Sequence, residues 1–578
     1  MRRGRLEALV AELQRAQRAG RPRARIRAED FDAAHARLKA DKAPGADGVA
    51  QELLRNLEPA ACLQVRMAFE ALLNLDAGEA AAWPPGWRAT FVHALQKPDG
   101  DTRYLENWRP IALVPVLSNA FEATLVQQLQ QQVHWRCNVL GFRPGHQVLE
   151  ATELVRLALQ KGHEWGHAVA VVTLDVRKAF DSVGHAELDR ALEAKGIGLE
   201  ARIAFGRSLL EAELTVEVAG CCAEGVRLEK GAKQGGRSTP FLWNVLLDEC
   251  LGPVFESLTE RCGLDLEENG KVSHAIWADN VVLLACGARE AAELAEAVLG
   301  ALRRWRLLLK PSDTRLLLGT ARGPAERRAL EEGGLRFGPG GAQWMPCVAS
   351  LRLLGVLLDE TGSTACSLHA RVAAAHSAWG CRRQDLCNRN RPVHARILYF
   401  YSTVIGALLW GSQGWCLKQN EAKLLRGFEL RCIRCMLCRR RRPNETFLAH
   451  LQRTTRMARL VLDRVGVPSV VFRALRGAYG WAGHVARHPD LAVHRMLCWR
   501  DLEWWRVLQA VGTPPGSRHP RTGPVTRWEN QFEPWLGAQW RGKAQCREGW
   551  AAKARHFIQS RLQSFFGCVP RRDQRHVP

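Results

Sequence analysis

Two aspartates carry the strongest chemical signal in this chain. Asp279 lies in Trp277-Ala278-Asp279-Asn280-Val281-Val282-Leu283-Leu284, where an acid and an amide interrupt two apolar runs. That pattern predicts a strand, a tight turn and a second strand, with Asp279 at the tip. Upstream, the apolar run Ala168 to Leu174 also ends in an acid, Asp175. Two strand-end carboxylates separated by helical sequence suit a site that holds two divalent metals for nucleotidyl transfer. Asn280 matters as much. An asparagine keeps a carbonyl ligand and loses a charge, so a site built with it binds metal more weakly than one with a second aspartate.

Other segments supply groups for a nucleotide. In Asp175-Val176-Arg177-Lys178-Ala179-Phe180-Asp181, Phe180 and Asp181 fall where the strand should turn into a helix. Phe180 can sit under the sugar of a bound nucleotide. The commoner fate of a lone phenylalanine is a core corner. Asp181 is expected to cap the next helix beside Ser182. Lys97-Pro98 and Asn107-Trp108-Arg109-Pro110 place Arg109 at the start of an apolar stretch, where a guanidinium can meet phosphate bidentately or simply cap a loop. Lys42 to Val49 and Gly141 to Gly145 read as turns. Lys233-Gln234-Gly235-Gly236 offers backbone without Cβ, which a base pair can approach closely.

The elements that must position these groups come from the rest of the chain. It has 578 residues, with 82 Lys and Arg against 59 Asp and Glu, a net charge of +23. That imbalance favours a polyanionic partner, most simply nucleic acid. A hydrophobic content of 47% with 24% charged residues is globular rather than disordered. The 18 cysteines are scattered, and no apolar segment follows the basic start, so reduced thiols in an intracellular protein are expected. Ile397 to Trp410 is too short for a comfortable membrane span and reads as a buried helix, so no membrane partner is expected.

Residues 1–40 form a helical N-terminal extension, in which Leu6, Leu9, Val10 and Leu13 make an amphipathic stripe. Residues 41–165 mix turns and short helices, 166–365 alternate strand-like and helix-like stretches, and 366–578 are mostly helical and rich in Arg and Trp. Arg439 to Arg442 with Pro443 should end a helix and open a basic loop, and Pro514 to Pro524 reads as a linker. Cys432, Cys435 and Cys438 lack a matching second pair, so they are expected to act as small apolar residues along one helical face rather than as zinc ligands. His484 and His488 are expected to pack or to touch phosphate. Trp504, Trp505, Trp528, Trp535, Trp540 and Trp550 read as helix-packing anchors.

In this order, the segments resemble the reverse transcriptase domain of non-LTR (LINE-type) retroelements, with group II intron reverse transcriptases as more distant relatives. The match runs from Lys42–Val49, Asn107–Leu113 and Gly141–Gly145 through Asp175, Gln234-Gly235 and Ala278-Asp279-Asn280 to Leu353-Leu354-Gly355-Val356. It continues into Tyr401 to Trp415, Phe428 to Cys432 and Trp481 to Arg487.

The resemblance implies an α+β, right-hand polymerase fold: fingers at 41–165, palm at 166–365, then a mostly helical thumb and C-terminal nucleic-acid-binding region at 366–578. It implies an RNA-directed DNA polymerase in which Asp175 and Asp279 coordinate two Mg²⁺ ions, with Mn²⁺ as an alternative, beside Asn280. Lys97 and Arg109 would touch the triphosphate, Phe180 would exclude a 2′-hydroxyl, and Gln234 and Gly235 would pack on the nascent base pair. The partners implied are an RNA template, a DNA primer and dNTPs, in the nucleus. Nothing before residue 40 is long enough for an apurinic-type endonuclease, so that activity would come from another domain or protein.

Two departures stand out: Asn280 replaces the usual second aspartate, and Asp313 stands where the family often has a lysine before Thr314. The rival readings are a decayed relic that binds nucleic acid without polymerising, and an RNA-directed RNA polymerase. Phe180 disfavours the latter.

Overall fold

The period-two pleat of β1 (Ala89–Gln96) buries Thr90 and Val92 and leaves Phe91, His93 and Leu95 exposed. These positions belong to a computed structural model that describes residues 3–75, 83–97, 101–104, 107–218, 220–319, 328, 330, 332–338, 341–499 and 527–575. β2 (Trp108–Leu113) runs antiparallel to β1, from Phe91 opposite Leu113 to Gln96 opposite Trp108. β3 (Ala170–Asp175) starts a second sheet. The chain then returns to the first one: β4 (Glu213–Val218) pairs in parallel with β1, and β5 (Cys221–Arg227) pairs antiparallel with β4. The resulting order is β2-β1-β4-β5, so residues 213–227 share a sheet with residues 89–113.

A short ribbon, β6 (Leu264–Asp265) and β7 (Lys271–Val272), leads into β8 (His274–Trp277) and β9 (Asn280–Ala285). With β10 (Arg315–Leu318) they complete the second sheet, in the order β10-β3-β9-β8 and antiparallel throughout. Both faces of this sheet are covered, which is why its central strands read as continuous apolar runs rather than as alternation. Val172, Leu174, Val281 and Leu283 pack into one core with Leu246 of the helix Thr239–Cys262 and Leu294 of the helix Ala288–Arg304. Val171, Val282 and Leu284 face a second core that contains Leu154 and Ala158 of the helix Val148–Trp165 and continues into the C-terminal helices.

At the N-terminus, the helix Arg3–Arg18 buries Leu6, Leu9 and Leu13 against Leu199 and Ile203, as its spacing predicts. Beyond residue 363 the long elements are helical: Thr364–Cys387, Gln419–Leu437, Phe447–Val465, Val470–Arg487 and Arg547–Phe566. The apolar stretch from Ile397 is broken rather than uniform. An α-helix over Val393–Phe400 passes into a π-helical turn at Tyr401–Ile405. Val404 and Ile405 are buried there, while Ser402 and Trp410 face out. Among the described residues no helix is long and apolar enough to cross a membrane.

The arginine run does follow a helix end, with Cys438 in the left-handed conformation at the cap. The three clustered cysteines have unlike environments, which corrects the expectation of one apolar face: Cys432 is buried, Cys435 exposed, and Cys438 lies past the last helical residue. Trp528, Trp540 and Trp550 are buried anchors. Trp504, Trp505 and the Pro514–Pro524 stretch lie outside the described residues.

Candidate active site

The site grows from a two-residue hairpin. β8 and β9 pair with Trp277 opposite Asn280, so Ala278 and Asp279 form the whole turn. Ala278 adopts φ +56°, a left-handed conformation that costs an alanine free energy and that its surroundings must enforce. The Trp243 Nε1–H donates to the Ala278 carbonyl at 2.9 Å, and the Val176 N–H donates to the Asp279 carbonyl at 3.1 Å. Gly141 backs the turn so closely that a Cβ there would lie 2.5 Å from the Ala278 nitrogen.

Because β3 pairs with β9, Asp175 lies directly opposite Asn280 and beside Asp279. Asp175 is half-buried, and burial, with Asp279 next, pushes its carboxyl up to about 6. Two acids are thus held close in a partly dry place, where a cation would relieve the cost of ionising them. The Asn280 Nδ2–H donates to Asp279 Oδ1 at 3.3 Å, so an amide dipole stands where a third carboxylate would add repulsion. The donor chemistry, two carboxylates and one amide carbonyl, suits a hard oxygen-loving cation. Lys310 was not singled out from the sequence. Its N–H donates to the Asp175 carbonyl at 2.8 Å, its ammonium pairs with Asp313, and its charge acts on both Asp175 and Asp279. Asp313, a departure by sequence, therefore holds a lysine that faces the carboxylates.

Phe180 is half-buried on the short helix Ala179–Ser182, tilted against Phe142 at 6.2 Å and edge-on to Trp243 at 5.9 Å. It is a corner aromatic with part of its surface open, in contact with the tryptophan that holds the Ala278–Asp279 turn. Asp181 does not cap the following helix, which corrects that expectation. The cap position of His185–Ala194 is Gly184, and Asp181 lies near Lys178 and Lys97, with its carboxyl raised chiefly by burial. Lys97 and Arg109 are both exposed on the β1–β2 hairpin. Arg109 is opposite Leu95, which puts it diagonal to Lys97 on one face.

The Gln234 loop crosses the same hairpin. The Ala112 N–H donates to the Gln234 carbonyl at 2.7 Å, and Gly235, at φ +129°, comes so close that a Cβ would meet the Ala112 oxygen at 2.4 Å. Behind it Glu122, fully buried, accepts from the Ser208 and Ser238 hydroxyls and from Lys233 Nζ at 3.3 Å. The sequence had given no hint of this network, because its members are far apart in the chain.

Residues 95–356 match the family model described as "Reverse transcriptase (RNA-dependent DNA polymerase)". That segment is similar to a reverse transcriptase domain. The chain is 30% identical over 244 residues to a "Retrovirus-related Pol polyprotein from type-1 retrotransposable element R2" of Popillia japonica, covering 42% of this chain and 32% of that protein. A "Retrovirus-related Pol polyprotein from type-2 retrotransposable element R2DM" of Drosophila melanogaster is 25% identical over 250 residues, 43% of this chain and 22% of that one. A "Probable RNA-directed DNA polymerase from transposon X-element" of the same fly is 28% identical over 149 residues, 25% of this chain and 16% of its own length. The chain thus spans about a third or less of the length of these relatives. These relatives are retrotransposable-element proteins, in keeping with the resemblance of the motif order. The matched segment takes in the whole β10-β3-β9-β8 sheet, with the Asp175 and Asp279 strands, and β2, β4 and β5 of the other.

His484 and His488 lie outside the matched segment, and among the described residues no group of three or more His, Cys, Asp and Glu has the arrangement for a metal ion. His484 Nε2 instead bonds Glu150 Oε1 at 3.1 Å, while His146 Nδ1 bonds Glu150 Oε2 at 2.6 Å. These two histidines, with a backbone N–H, hold the Glu150 carboxyl down to about 2 against its burial, and His484 ties the helix Val148–Trp165 to Val470–Arg487.

Proposed function

We propose that this chain is an RNA-directed DNA polymerase of a LINE-type element, copying RNA into DNA. The observation that carries the reading is the pairing of Asp175 and Asp279 at one hairpin, inside the segment that matches the reverse transcriptase family. In this reading Asp175 and Asp279 hold two divalent metal ions, Mg²⁺ or Mn²⁺, with the Asn280 carbonyl as a weaker donor. When bound, the metals neutralise the triphosphate and ease loss of the primer hydroxyl proton. The remaining work belongs to the chain. Lys97 and Arg109 orient the triphosphate, with Asp181 close enough to steer Lys97. The exposed part of Phe180 excludes a 2′-hydroxyl and so selects dNTPs. Gln234 and Gly235 support the nascent base pair. Lys310 stands beside the carboxylates as a charged donor toward the leaving group.

The sheet of β1, β2, β4 and β5 then acts as fingers, the sheet of β3, β8, β9 and β10 as palm, and the helices after residue 365 as thumb and nucleic-acid-binding region. The enzyme would work in the nucleus on a primer end cut by another domain or protein.

The specific observation in favour of a non-catalytic relic is Asn280, whose amide occupies one oxygen of Asp279. Primer extension on an RNA template with dNTPs separates the two. The native chain extends the primer, and Asp175→Ala abolishes extension while template–primer affinity stays within about twofold, since binding charge is spread over many Arg and Lys. Binding without extension by the native chain would establish the relic.

A further inference from the structure

One thiol, outside the segment that matches the reverse transcriptase family, has the company a nucleophile needs. Cys498 ends the helix Ala492–Cys498 and is half-buried. Its Sγ lies 3.4 Å from His494 Nε2, one turn back on the same helix, and accepts from Arg541 Nη1 at 3.3 Å. Arg541 comes from a separate element, the short helix Trp540–Lys543. The other ring nitrogen of His494, Nδ1, donates to the Val485 carbonyl at 2.7 Å. A carbonyl only accepts, so Nδ1 carries a proton and Nε2 faces the sulfur as its base. A nucleophile, a base and a third group that orients the base make the geometry of an activated thiol.

The surroundings favour the charged pair. Burial alone would raise the Cys498 thiol, but His494 and then Arg541 outweigh it and hold the thiol below its ordinary value. The bond to Cys498 raises His494 in turn, against its burial. Among the described residues neither His494 nor Arg541 pairs with a carboxylate, so the sulfur is the anion they share. A helix C-terminus disfavours an anion, and the charge of Arg541 offsets that. The group is also fixed in place. Lys161 Nζ donates to the Leu497 carbonyl at 2.8 Å and to the Trp499 carbonyl at 2.5 Å, on either side of Cys498. A thiol that served only as filling would sit among apolar side chains, as Cys250 does.

We propose that Cys498 is a reversible modification site, which forms a mixed disulfide with small disulfides that bear carboxylates. The thiolate attacks one sulfur of the disulfide, and a new S–S bond forms as the old one breaks. The displaced sulfur leaves as a thiolate and takes the proton of the His494 imidazolium, which has just lost its partner. Cys498 is oxidised, the disulfide is reduced, and half of it stays on Sγ. Arg541 faces the same sulfur and suits a carboxylate on the incoming group. The inference goes beyond polymerisation and does not depend on it.

The test uses the full chain and reads each cysteine separately, by peptide mass spectrometry after brief labelling with iodoacetamide. Cys381, exposed on the helix Thr364–Cys387, is the reference. Buried Cys250 reports unfolding, since a folded chain protects it. The ratio of the Cys498 rate to the Cys381 rate should rise roughly tenfold between pH 8.5 and 6.5, because the Cys498 thiolate persists at the lower pH. Taking a ratio at each pH cancels the difference in access. His494→Gln and Arg541→Gln should each cut that rise by roughly threefold or more, while Arg541→Lys keeps most of it. Arg541→Gln, which leaves the helix of Cys498 untouched, gives the answer if His494→Gln exposes Cys250. With glutathione disulfide the adduct should form on Cys498 ahead of Cys381 and reverse with dithiothreitol, and the cationic disulfide cystamine should react more slowly. A ratio that stays flat with pH while Cys250 is protected would overturn the proposal. So would equal adduct formation at Cys381 and Cys498, or faster reaction with cystamine.

Discussion

At the scale of residues, the site is a balance among Asp175, Asp279, Asn280 and Lys310. An aspartate at 280 would bring a third negative charge to the turn. Asn280→Asp is therefore expected to lower the Mg²⁺ concentration for half-maximal extension by about fivefold, on the order of 1 kcal/mol for one charge near the metal. A metal titration of both proteins checks this, and an unchanged midpoint would place residue 280 outside the coordination shell. The pH dependence has a definite sign. The Asp175 carboxyl is raised to about 6, so its proton competes with metal, and the metal needed should climb as pH falls through 6. Without metal the same shift works the other way on stability. The folded state holds this proton more tightly than the unfolded chain does, so the group's contribution falls as pH rises from the ordinary carboxylate range to about 6 and stays low above it. Metal titrations at pH 5.5 and 7.5 read the first effect directly, and equal midpoints would contradict it.

At the scale of elements, the hairpin holds its geometry because other elements press on it. Gly141→Ala would push a Cβ to within 2.5 Å of the Ala278 nitrogen and shift the turn. Displacements of about 1 Å can cost roughly a hundredfold in rate, so a loss of that order in extension, with RNA affinity retained, is expected. Wild-type extension by this variant would mean that the turn moves without consequence. The same elements explain what the sequence could reveal. β3, β8 and β9 were legible because each is an apolar run that stops at a polar residue, and the acid at the turn marks a function no core position needs. β5 was not, since Cys221 to Arg227 is exposed throughout and carries no alternation. Its partner β4 joins a strand more than a hundred residues upstream, beyond the reach of local pattern. The π-helical turn at Tyr401 was hidden for a related reason, because apolar content fixes burial but not the hydrogen-bond step. Within the site the same division holds. Asp175, Asp279 and Phe180 could be picked out by type and context, whereas the position of Lys310 beside the carboxylates and the Glu122–Lys233 support under the Gln234 loop exist only after folding.

At the scale of the whole molecule, the sheet that carries Asp175 and the C-terminal helices share a core, and the short helix Arg571–Gln574 locks it. Arg572 and Glu429 form a buried ion pair, Tyr401 joins both, and the Val470 N–H donates to Glu429 Oε1 at 3.0 Å. Ser469 closes the lock by donating to Asp573 through its N–H and its hydroxyl, both at 2.7 Å. Arg572→Ala strands Glu429 in the core and should destabilise the protein by about 3–5 kcal/mol. Denaturant unfolding measures this, and a loss below about 1 kcal/mol would show that the C-terminal helix is not integral. The net charge of +23 belongs to the same scale. It would draw nucleic acid to the protein wherever a strand first lands, so affinity alone would say little about catalysis.

The most direct test joins metal binding to chemistry at the two carboxylates. Mn²⁺ binding and single-nucleotide incorporation on an RNA template would be measured for the native chain, Asp175→Asn and Asp279→Asn at one pH and salt. If these residues hold the metal, both substitutions weaken Mn²⁺ binding and abolish incorporation together, while RNA binding persists. Incorporation at the native rate by either variant would contradict the assignment of the site.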